Sequence, residues 1–229
     1  MSRTYRHELK FFCTETELQW IEHKIKHVCR KDPHVGEEGV YRIRSLYFDT
    51  YDSRCYLENE DGADNRAKYR VRIYDASDAV IKLERKGSLR DRKYKESCNI
   101  TRKQCEQMIQ GKTVENILPQ QMVLQEFLLQ RQMELLKPQV IVEYVRTPYI
   151  YPVGNVRITF DRFITSSSSE EFFGERILGR GILPEHMHLL EVKYDEVLPV
   201  AIWELLNSSA CLTRTSFSKY ALCREYGLR

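Results

Sequence analysis

The chain has 229 residues, 42% of them hydrophobic and 30% charged, which is enough apolar material for a sizeable core. Its 36 Lys and Arg against 33 Asp and Glu leave a formal net charge of only +3, which argues against nucleic-acid binding and allows an anionic ligand. Without an apolar N-terminal run or a stretch of about 18 apolar residues, neither secretion nor membrane spanning is predicted. Seven cysteines without a CxxC pair predict reduced thiols and a cytoplasmic location.

Strands and helices are predicted to alternate along the chain. Period-two alternation, rich in β-branched and aromatic residues, predicts eight strands near 4–13, 40–49, 66–75, 79–86, 92–100, 138–147, 155–164 and 187–195. Helices are predicted near 15–29, where Thr14 is a candidate N-cap, and near 101–110, 120–136, 199–207 and 216–226. The serine run 166–169 predicts a surface loop. Because no internal repeat or long linker occurs, residues 1–229 are expected to form a single domain.

Most predicted strands have one charged face and one apolar face. Side chains two residues apart point the same way, so Arg6, Glu8 and Lys10 share one face of the first strand. Similar rows follow in later strands: Lys68, Arg70 and Arg72; Lys82, Glu84 and Lys86; Lys93, Lys95, Ser97 and Asn99; Arg157, Thr159 and Asp161; Glu191 and Lys193. Alternation alone also fits an ordinary sheet with a solvated charged face.

Two features favour an inward charged face. Lys and Arg dominate row after row, and the predicted helices need an apolar surface to pack on. Eight strands are typical of a closed antiparallel barrel, so we predict an α+β fold in which a closed eight-stranded barrel forms a tunnel with helices around its outside. A basic lumen of this kind requires a polyanion to offset its self-repulsion.

The carboxylates among these rows suggest a second ligand. Glu8, Glu84, Glu143 and Glu191 predict a hard divalent cation, bound through oxygen atoms and shared with phosphate. The segment 40–49 is ambiguous, because Arg42 and Arg44 share a face with apolar residues, and its arginines are not assigned to the lumen.

Familiar catalytic motifs are absent from the sequence. Gly111-Lys112-Thr113 resembles the end of a P-loop, but Glu106 stands where the motif requires glycine. His186 and His188 have strand spacing without a nearby third ligand, so a structural role is favoured over zinc binding. No motif for a serine or cysteine nucleophile is found.

Seven segments occur in the order found in one protein family. They are RHELKF at 6–11, SLYFDT at 45–50, KYRVRIY at 68–74, LERK at 83–86, RITFDR at 157–162, LEVKYD at 190–195 and FSKY at 217–220, followed by Cys223. Together they resemble the VTC-type polyphosphate polymerases, members of the triphosphate tunnel superfamily that also contains the CYTH phosphatases. The resemblance covers nearly the whole chain.

This resemblance implies that ATP and inorganic polyphosphate are held in the tunnel by basic side chains together with Mn²⁺ or Mg²⁺. The implied catalytic residues are Arg70, Arg72, Lys86 and Arg157. Phosphate contacts are implied for Lys10, Lys95, Lys193, Ser218 and Lys219. Lys82 is added as a phosphate contact because it lies in the same row as Lys86. Glu191 resembles the metal ligand, and Glu8 is expected to assist it. A salt bridge within the lumen is the alternative role for each of these residues.

One departure separates the two branches of the superfamily. CYTH phosphatases carry Glu-x-Glu-x-Lys on the first strand, and Arg6 takes the first position here. The loss of a carboxylate favours a polymerase that transfers the γ-phosphate of ATP to a growing chain. A triphosphatase and a non-catalytic polyphosphate-binding module are the alternatives.

The near-neutral net charge and the lack of an identified aromatic platform predict no nucleic-acid partner. The sequence carries no signal for or against a membrane-protein partner.

Overall fold

The computed structural model describes residues 6–63, 66–89, 92–168, 171–208 and 212–228. Within these ranges the fold is α+β, with one antiparallel sheet of eleven strands and six α-helices. The strands are β1 His7–Thr14, β2 Arg30–Lys31, β3 Tyr41–Asp49, β4 Arg66–Tyr74, β5 Ser77–Leu89, β6 Arg92–Asn99, β7 Lys137–Tyr151, β8 Val156–Ser167, β9 Arg180–Gly181, β10 Met187–Tyr194 and β11 Thr213–Arg214. The helices are α1 Glu15–Val28, α2 Arg54–Glu60, α3 Arg102–Ile109, α4 Met122–Glu134, α5 Val200–Asn207 and α6 Lys219–Leu228.

The eight predicted strands are confirmed as the eight long strands of the sheet, apart from residues 4 and 5, which lie outside the described ranges. Five predicted helices are also confirmed. Thr14 caps α1 through a capping box, because its hydroxyl accepts from the Glu17 amide while the Glu17 carboxylate accepts from the Thr14 amide. The serine run is partly corrected, since Ser166 and Ser167 continue β8, whereas Ser169 lies outside the described residues.

Helix α2 was not predicted, because its cap is not adjacent in sequence. Ser53 precedes the helix in a left-handed conformation, with a φ of 59°, and makes no side-chain cap. The buried carboxylate of Asp49 instead accepts hydrogen bonds from the amides of Cys55 and Tyr56, 2.8 and 3.2 Å away. A carboxylate at the end of β3 therefore holds the first turn of α2.

The prediction of a closed, eight-stranded barrel is corrected by the strand order. The sheet runs β11-β1-β10-β8-β7-β3-β4-β5-β6, with β2 paired to β7 and β9 paired to β8. Within the described residues β6 ends the sheet on one side, and it does not pair with β1 or β11 at the other. Closure requires hydrogen bonds between the first and last strands, and counting strands in a sequence cannot reveal them.

Two apolar clusters cover the outer face of the sheet. In the first, Val71 and Leu83 of β4 and β5 pack against α3 and α4. In the second, Phe160 and Val192 of β8 and β10 pack against α1 and α5. Because side chains alternate along each strand, this arrangement leaves the charged rows on the opposite, inner face.

Helix α6 lies on the inner face, which corrects the prediction that the helices pack around the outside. Its Tyr220 and Cys223 join a third apolar cluster with Tyr47 of β3 and Val142 of β7. The Tyr220 and Tyr47 rings lie 4.9 Å apart. Tyr220 also donates a hydrogen bond to Asp49, the residue that caps α2. One end of the inner face is therefore filled by α6, with α2 beside it.

The described cysteines, which leave out Cys211, are all free thiols, as predicted. Among the described helices, none combines the length and the apolar character needed to cross a bilayer.

We expect Phe127→Ala in α4 to lower the free energy of unfolding by about 3–5 kcal/mol, because it opens a cavity in the first cluster. The fully buried Phe127 ring meets Phe48 and Tyr69 edge-on, with centroids 4.9 and 5.2 Å away. The matched control is Leu129→Ala on the same helix, where the side chain is 63% exposed and the change should stay within about 0.5 kcal/mol. Urea denaturation followed by circular dichroism measures both, and equal losses would contradict this packing.

Candidate functional site

The inner face of the sheet carries the charged rows that the sequence predicted. Its cations are Lys10, Lys68, Arg70, Arg72, Lys82, Lys86, Lys95, Arg146, Arg157, Lys193 and Lys219, and its carboxylates are Glu8, Glu84, Asp161 and Glu191. Cations therefore outnumber carboxylates on this face. This surplus of positive charge makes the inner face the candidate site.

Glu84 of β5 organises the first group of cations. Its carboxylate is only 1% exposed and accepts from Nε and Nη2 of Arg70, each 2.6 Å away. Lys95 lies 3.2 Å from its other oxygen. Burial alone would favour the neutral acid, but Arg70, Arg72 and Lys95 outweigh it and hold the pKa of Glu84 far below its usual value. Glu84 is therefore a fixed counter-ion of the arginines.

The two predicted arginines of β4 are held differently. Arg70 also donates from Nη1 to the hydroxyl of Tyr47, 2.8 Å away. Arg72 donates to the hydroxyl of Ser45 at 3.3 Å and lies 4.0 Å from Glu84. Arg70 is thus tightly fixed, whereas most donors of Arg72 have no hydrogen-bond partner among the described residues.

A second group of charges surrounds Glu191 of β10. The guanidinium of Arg146 binds Asp161 through two contacts of 2.6 Å and reaches Glu191 at 3.3 Å. Lys219, the first residue of α6, lies 2.6 Å from both Asp161 and Glu191. Burial opposes the charge of Lys219, but the two carboxylates hold its pKa above the usual value. Both carboxylates are therefore neutralised by cations from neighbouring elements.

Sequence reasoning missed two members of this group. Arg146 was overlooked because it ends a row of β7 whose other members, Val140, Val142 and Tyr144, are apolar or aromatic. Asp161 was placed in the correct row without a role. The available signal was the register, because Asp161 can meet Arg146 only if β7 and β8 are neighbours.

Glu8 and Lys193 join this group to the first strand. Lys193 lies 3.2 Å from Glu8 and 3.4 Å from Glu191, so its ammonium sits between the two predicted metal ligands. Burial raises the pKa of Glu8, but Lys193 and Lys10 outweigh burial and lower it to about 2. Lys10 also donates to the carbonyl of Phe217 at 2.8 Å.

Besides Lys82, two inward lysines, Lys68 and Lys86, make no ion pair with a carboxylate of the described residues. Lys68 donates to Asn59 and to Ser218, at 3.2 and 3.5 Å, and Ser218 in turn caps the first turn of α6. Burial, followed by the charges of Arg70 and Lys10, lowers the pKa of Lys68 to about 7. Burial and Arg70 also hold the pKa of Lys86 well below its usual value. Both lysines therefore carry a cost of burial and like charge, which the carboxylate of Glu8 offsets only in part at Lys86.

Two predicted residues form no ion pair with the carboxylates of these groups. Arg157 of β8 donates to the hydroxyl of Tyr41 at 3.0 Å and lies 2.8 Å from Asp32. It is therefore not brought against Arg70 or Arg72. Lys82 shares the row of Glu84 and Lys86 but makes no ion pair with another described residue.

The predicted carboxylates differ in their suitability as metal ligands. Glu143 lies on the outer face, where its carboxylate accepts from Arg44 at 2.5 Å, so it is removed from the candidate ligands. The same contact confirms that Arg44 does not face the lumen. Glu84 and Glu191 are both paired with cations, so a metal ion at either carboxylate would have to displace them. No group of three or more His, Cys, Asp or Glu side chains suited to a metal ion occurs within the described residues.

The position at which the first strand departs from the CYTH pattern lies outside the site. Arg6 forms an exposed ion pair with Asp195, at 3.1 Å. It therefore contributes neither a carboxylate nor a cation to the clusters around Glu84 and Glu191.

We expect Lys68 to make the stability of the ligand-free protein rise with pH. The folded protein releases this proton at a pKa of about 7, whereas a free lysine side chain has a pKa of 10.5. Between these values the unfolded state binds more protons, so the free energy of unfolding increases with pH. Lys68→Met should flatten the increase measured by urea denaturation from about pH 7 to about pH 8.5. Lys103→Met, at a 67% exposed side chain, is the control; equal slopes in both variants would contradict the assignment.

Comparison with known proteins identifies the family. The VTC domain matches residues 5–226. A putative adenylate cyclase from Bacillus halodurans has a similar structure, with a TM-score of 0.57 and 13% identity over 95% of this chain and 96% of that chain. A protein from Pyrococcus horikoshii gives a TM-score of 0.52 and 14% identity over 97% and 99% of the two chains.

A third similar structure is a putative adenylyl cyclase from Hippeastrum, described as having a dominant triphosphatase activity. It has a TM-score of 0.53 and 13% identity over 97% of this chain and 96% of that chain. No curated protein matches. At these identities the structural likeness concerns the fold alone. Because the family match spans nearly the whole chain, this protein belongs to the VTC domain family.

Proposed function

We propose that this protein is a polyphosphate polymerase that transfers the γ-phosphate of ATP to the end of a growing polyphosphate chain. The observation that carries the proposal is the surplus of inward cations, above all Lys68 and Lys86, which make no ion pair with a carboxylate of the described residues. A chain of phosphates supplies one negative charge after another along a line, which matches rows of lysine and arginine on adjacent strands.

The proposed reaction requires no side-chain nucleophile. A terminal oxygen of the chain attacks the γ-phosphorus of ATP, and the bond from that phosphorus to the bridging β,γ-oxygen breaks, which releases ADP. The acceptor is already an anion, so it needs no general base. The contribution of the protein is to align donor and acceptor and to neutralise the charge of the transferring group.

The two arginines of β4 are assigned to that neutralisation. Glu84 and Tyr47 hold Arg70 in place, so its position does not depend on the substrate. Arg72 keeps donors available beyond its contacts with Ser45 and Glu84, so it can bind the γ-phosphate directly. Lys86, two residues beyond Glu84 in β5, is assigned to the same phosphate.

The remaining cations are assigned to the phosphates that do not react. Lys10, Lys95, Lys193 and Lys219 come from four different elements of the inner face. Lys10 and Lys95 belong to β1 and β6, the strands that do not pair with each other. We assign them to the acceptor chain, together with Ser218, which lies beside Lys68. Lys82 lies in the same row of β5 as Lys86, on the other side of Glu84.

A divalent metal, Mn²⁺ or Mg²⁺, is proposed at Glu191 and Glu8. The ammonium of Lys193 lies between these two carboxylates, at a place that favours a positive charge. Magnesium sites in phosphate-transferring enzymes use one or two carboxylates together with phosphate oxygens, so this donor set fits. When bound, the metal would neutralise charge on the phosphates of ATP. Lys193 would then be free to bind phosphate in place of Glu8.

A triphosphatase is the second candidate, since the Hippeastrum neighbour is described with that activity. In that reaction water replaces the phosphate chain as the acceptor. The exposed position of Arg6 argues for the polymerase, because β1 then offers the site a single carboxylate, Glu8. A site with fewer carboxylates holds fewer metal-bound waters ready for attack.

We expect the purified protein, incubated with ATP and Mn²⁺, to produce ADP together with long-chain polyphosphate. Short polyphosphate primers should shorten any lag, because they supply the acceptor. Gel electrophoresis resolves the polymer, and a phosphate assay measures orthophosphate. Stoichiometric orthophosphate without polymer would establish the triphosphatase instead. Tight binding of polyphosphate without any turnover, at several metal concentrations, would instead support the non-catalytic polyphosphate-binding module.

We expect Lys86→Met to weaken binding of tripolyphosphate about 10- to 100-fold, the size of a lost hydrogen bond to a charged group. The same variant should melt at an equal or higher temperature, because a desolvated cation is removed while the length of the side chain is kept. Calorimetric titration and thermal unfolding provide the two measurements. Lys103→Met on the surface should change neither. A Lys86→Met protein that is less stable but binds normally would show that Lys86 is structural.

A further inference from the structure

An aromatic group lies where β3 begins on the inner face, next to Arg146 of the cluster around Glu191. Tyr41 begins β3 and Tyr74 ends β4, and their rings meet edge-on with centroids 5.8 Å apart. Tyr41 is buried, whereas Tyr74 is only half-buried and keeps part of its ring accessible. Aromatic rings at the rim of a highly charged face favour a ligand with an uncharged, planar part.

Arg157 completes this group and has unused hydrogen-bonding capacity. Its Nη2 is fixed by the Tyr41 hydroxyl and by Asp32, at 3.0 and 2.8 Å. Its Nε is buried and has no hydrogen-bond partner within the described residues. A buried donor without a partner is costly, so it indicates a group that a ligand can satisfy.

The direction in which a nucleotide can lie follows from β3. Tyr41 and Tyr47 are six residues apart in this strand, which corresponds to about 20 Å. Tyr47 contacts Tyr220 of α6 and the guanidinium of Arg70, so that end is filled by protein and by the phosphate-binding cations. A nucleotide whose phosphates reach Arg72 and Arg70 must therefore leave its nucleoside at the Tyr41 end.

We propose that Tyr41, Tyr74 and Arg157 form the nucleoside subsite for the phosphate donor. The base stacks on the accessible part of Tyr74, and Arg157 donates from Nε to the ribose or the adjoining α-phosphate. Stacking on tyrosine accepts any base, since every base has a π-face. The subsite thus recognises a nucleoside triphosphate without selecting adenine over guanine. This inference rests on the proposed function, because it assumes that the donor is a nucleotide.

The test compares ATP and GTP with tripolyphosphate, which has the phosphates but no nucleoside. Calorimetric titration of the wild-type protein should give similar affinities for ATP and GTP. Tyr74→Ala should weaken both roughly tenfold, in line with the loss of one stacked base. Its affinity for tripolyphosphate should be unchanged, which also shows that the variant is folded. Tyr74→Phe keeps the ring and should behave as wild type.

Tyr194→Ala is the matched control. Tyr194 follows Lys193, the strand partner of Arg157, but its ring stacks on His7 and packs against the outer cluster. It should leave the ratio of ATP to tripolyphosphate affinity unchanged. A wild-type protein that binds neither ligand would overturn both this inference and the proposed function. Normal tripolyphosphate binding with the same ratio in Tyr74→Ala and wild type would overturn the nucleoside subsite alone.

Discussion

The buried carboxylate of Glu84 is the constraint on which the inner face depends. Rows of lysine and arginine on adjacent strands repel one another, and a sheet that turns them inward must offset this repulsion. Glu84 does so for β4 to β6, because it lies within reach of Arg70, Arg72 and Lys95. Asp161 and Glu191 do the same for β7, β8 and α6. Removing one partner of such a buried pair typically costs about 3–5 kcal/mol, so these carboxylates stabilise the fold while leaving the face positive.

The carboxylates offset the repulsion among the inward cations only in part, and the remaining positive charge bears on the function of the site. Burial lowers the pKa of Lys68 to about 7, and Lys86 is shifted in the same direction. A chain selected for stability alone would replace such residues with apolar ones, since desolvated cations without partners oppose folding. Their retention fits a site whose missing negative charge arrives with the ligand. The same reasoning explains why the net charge of +3 did not reveal the site. The local electric field depends on where the charged side chains lie and not on the sum of their charges.

Much of the sheet could be predicted from the sequence, because period-two alternation ties each residue to a face. The inward rows of β4 and β5 follow from Lys68, Arg70 and Glu84 without any knowledge of strand order. Closure of the sheet, the partner of Arg146 and the cap of α2 could not be predicted in this way. Each depends on contacts between segments distant in sequence. The inward position of α6 also escaped prediction, because Tyr220 and Cys223 suit any apolar surface.

The cations of the inner face fall into two kinds with different chemical uses. Arg70 and Arg146 are held by carboxylates before any ligand binds, so they need little reorganisation when charge develops on a transferring phosphate. Lys68 and Lys86 make no ion pair with a carboxylate of the described residues, although Glu8 lies near enough to favour the charge of Lys86. The first kind can stabilise the charge that develops during phosphate transfer, and the second gains most from the negative charge that a bound phosphate chain brings. This division supports the proposal that the ligand is a chain of phosphates.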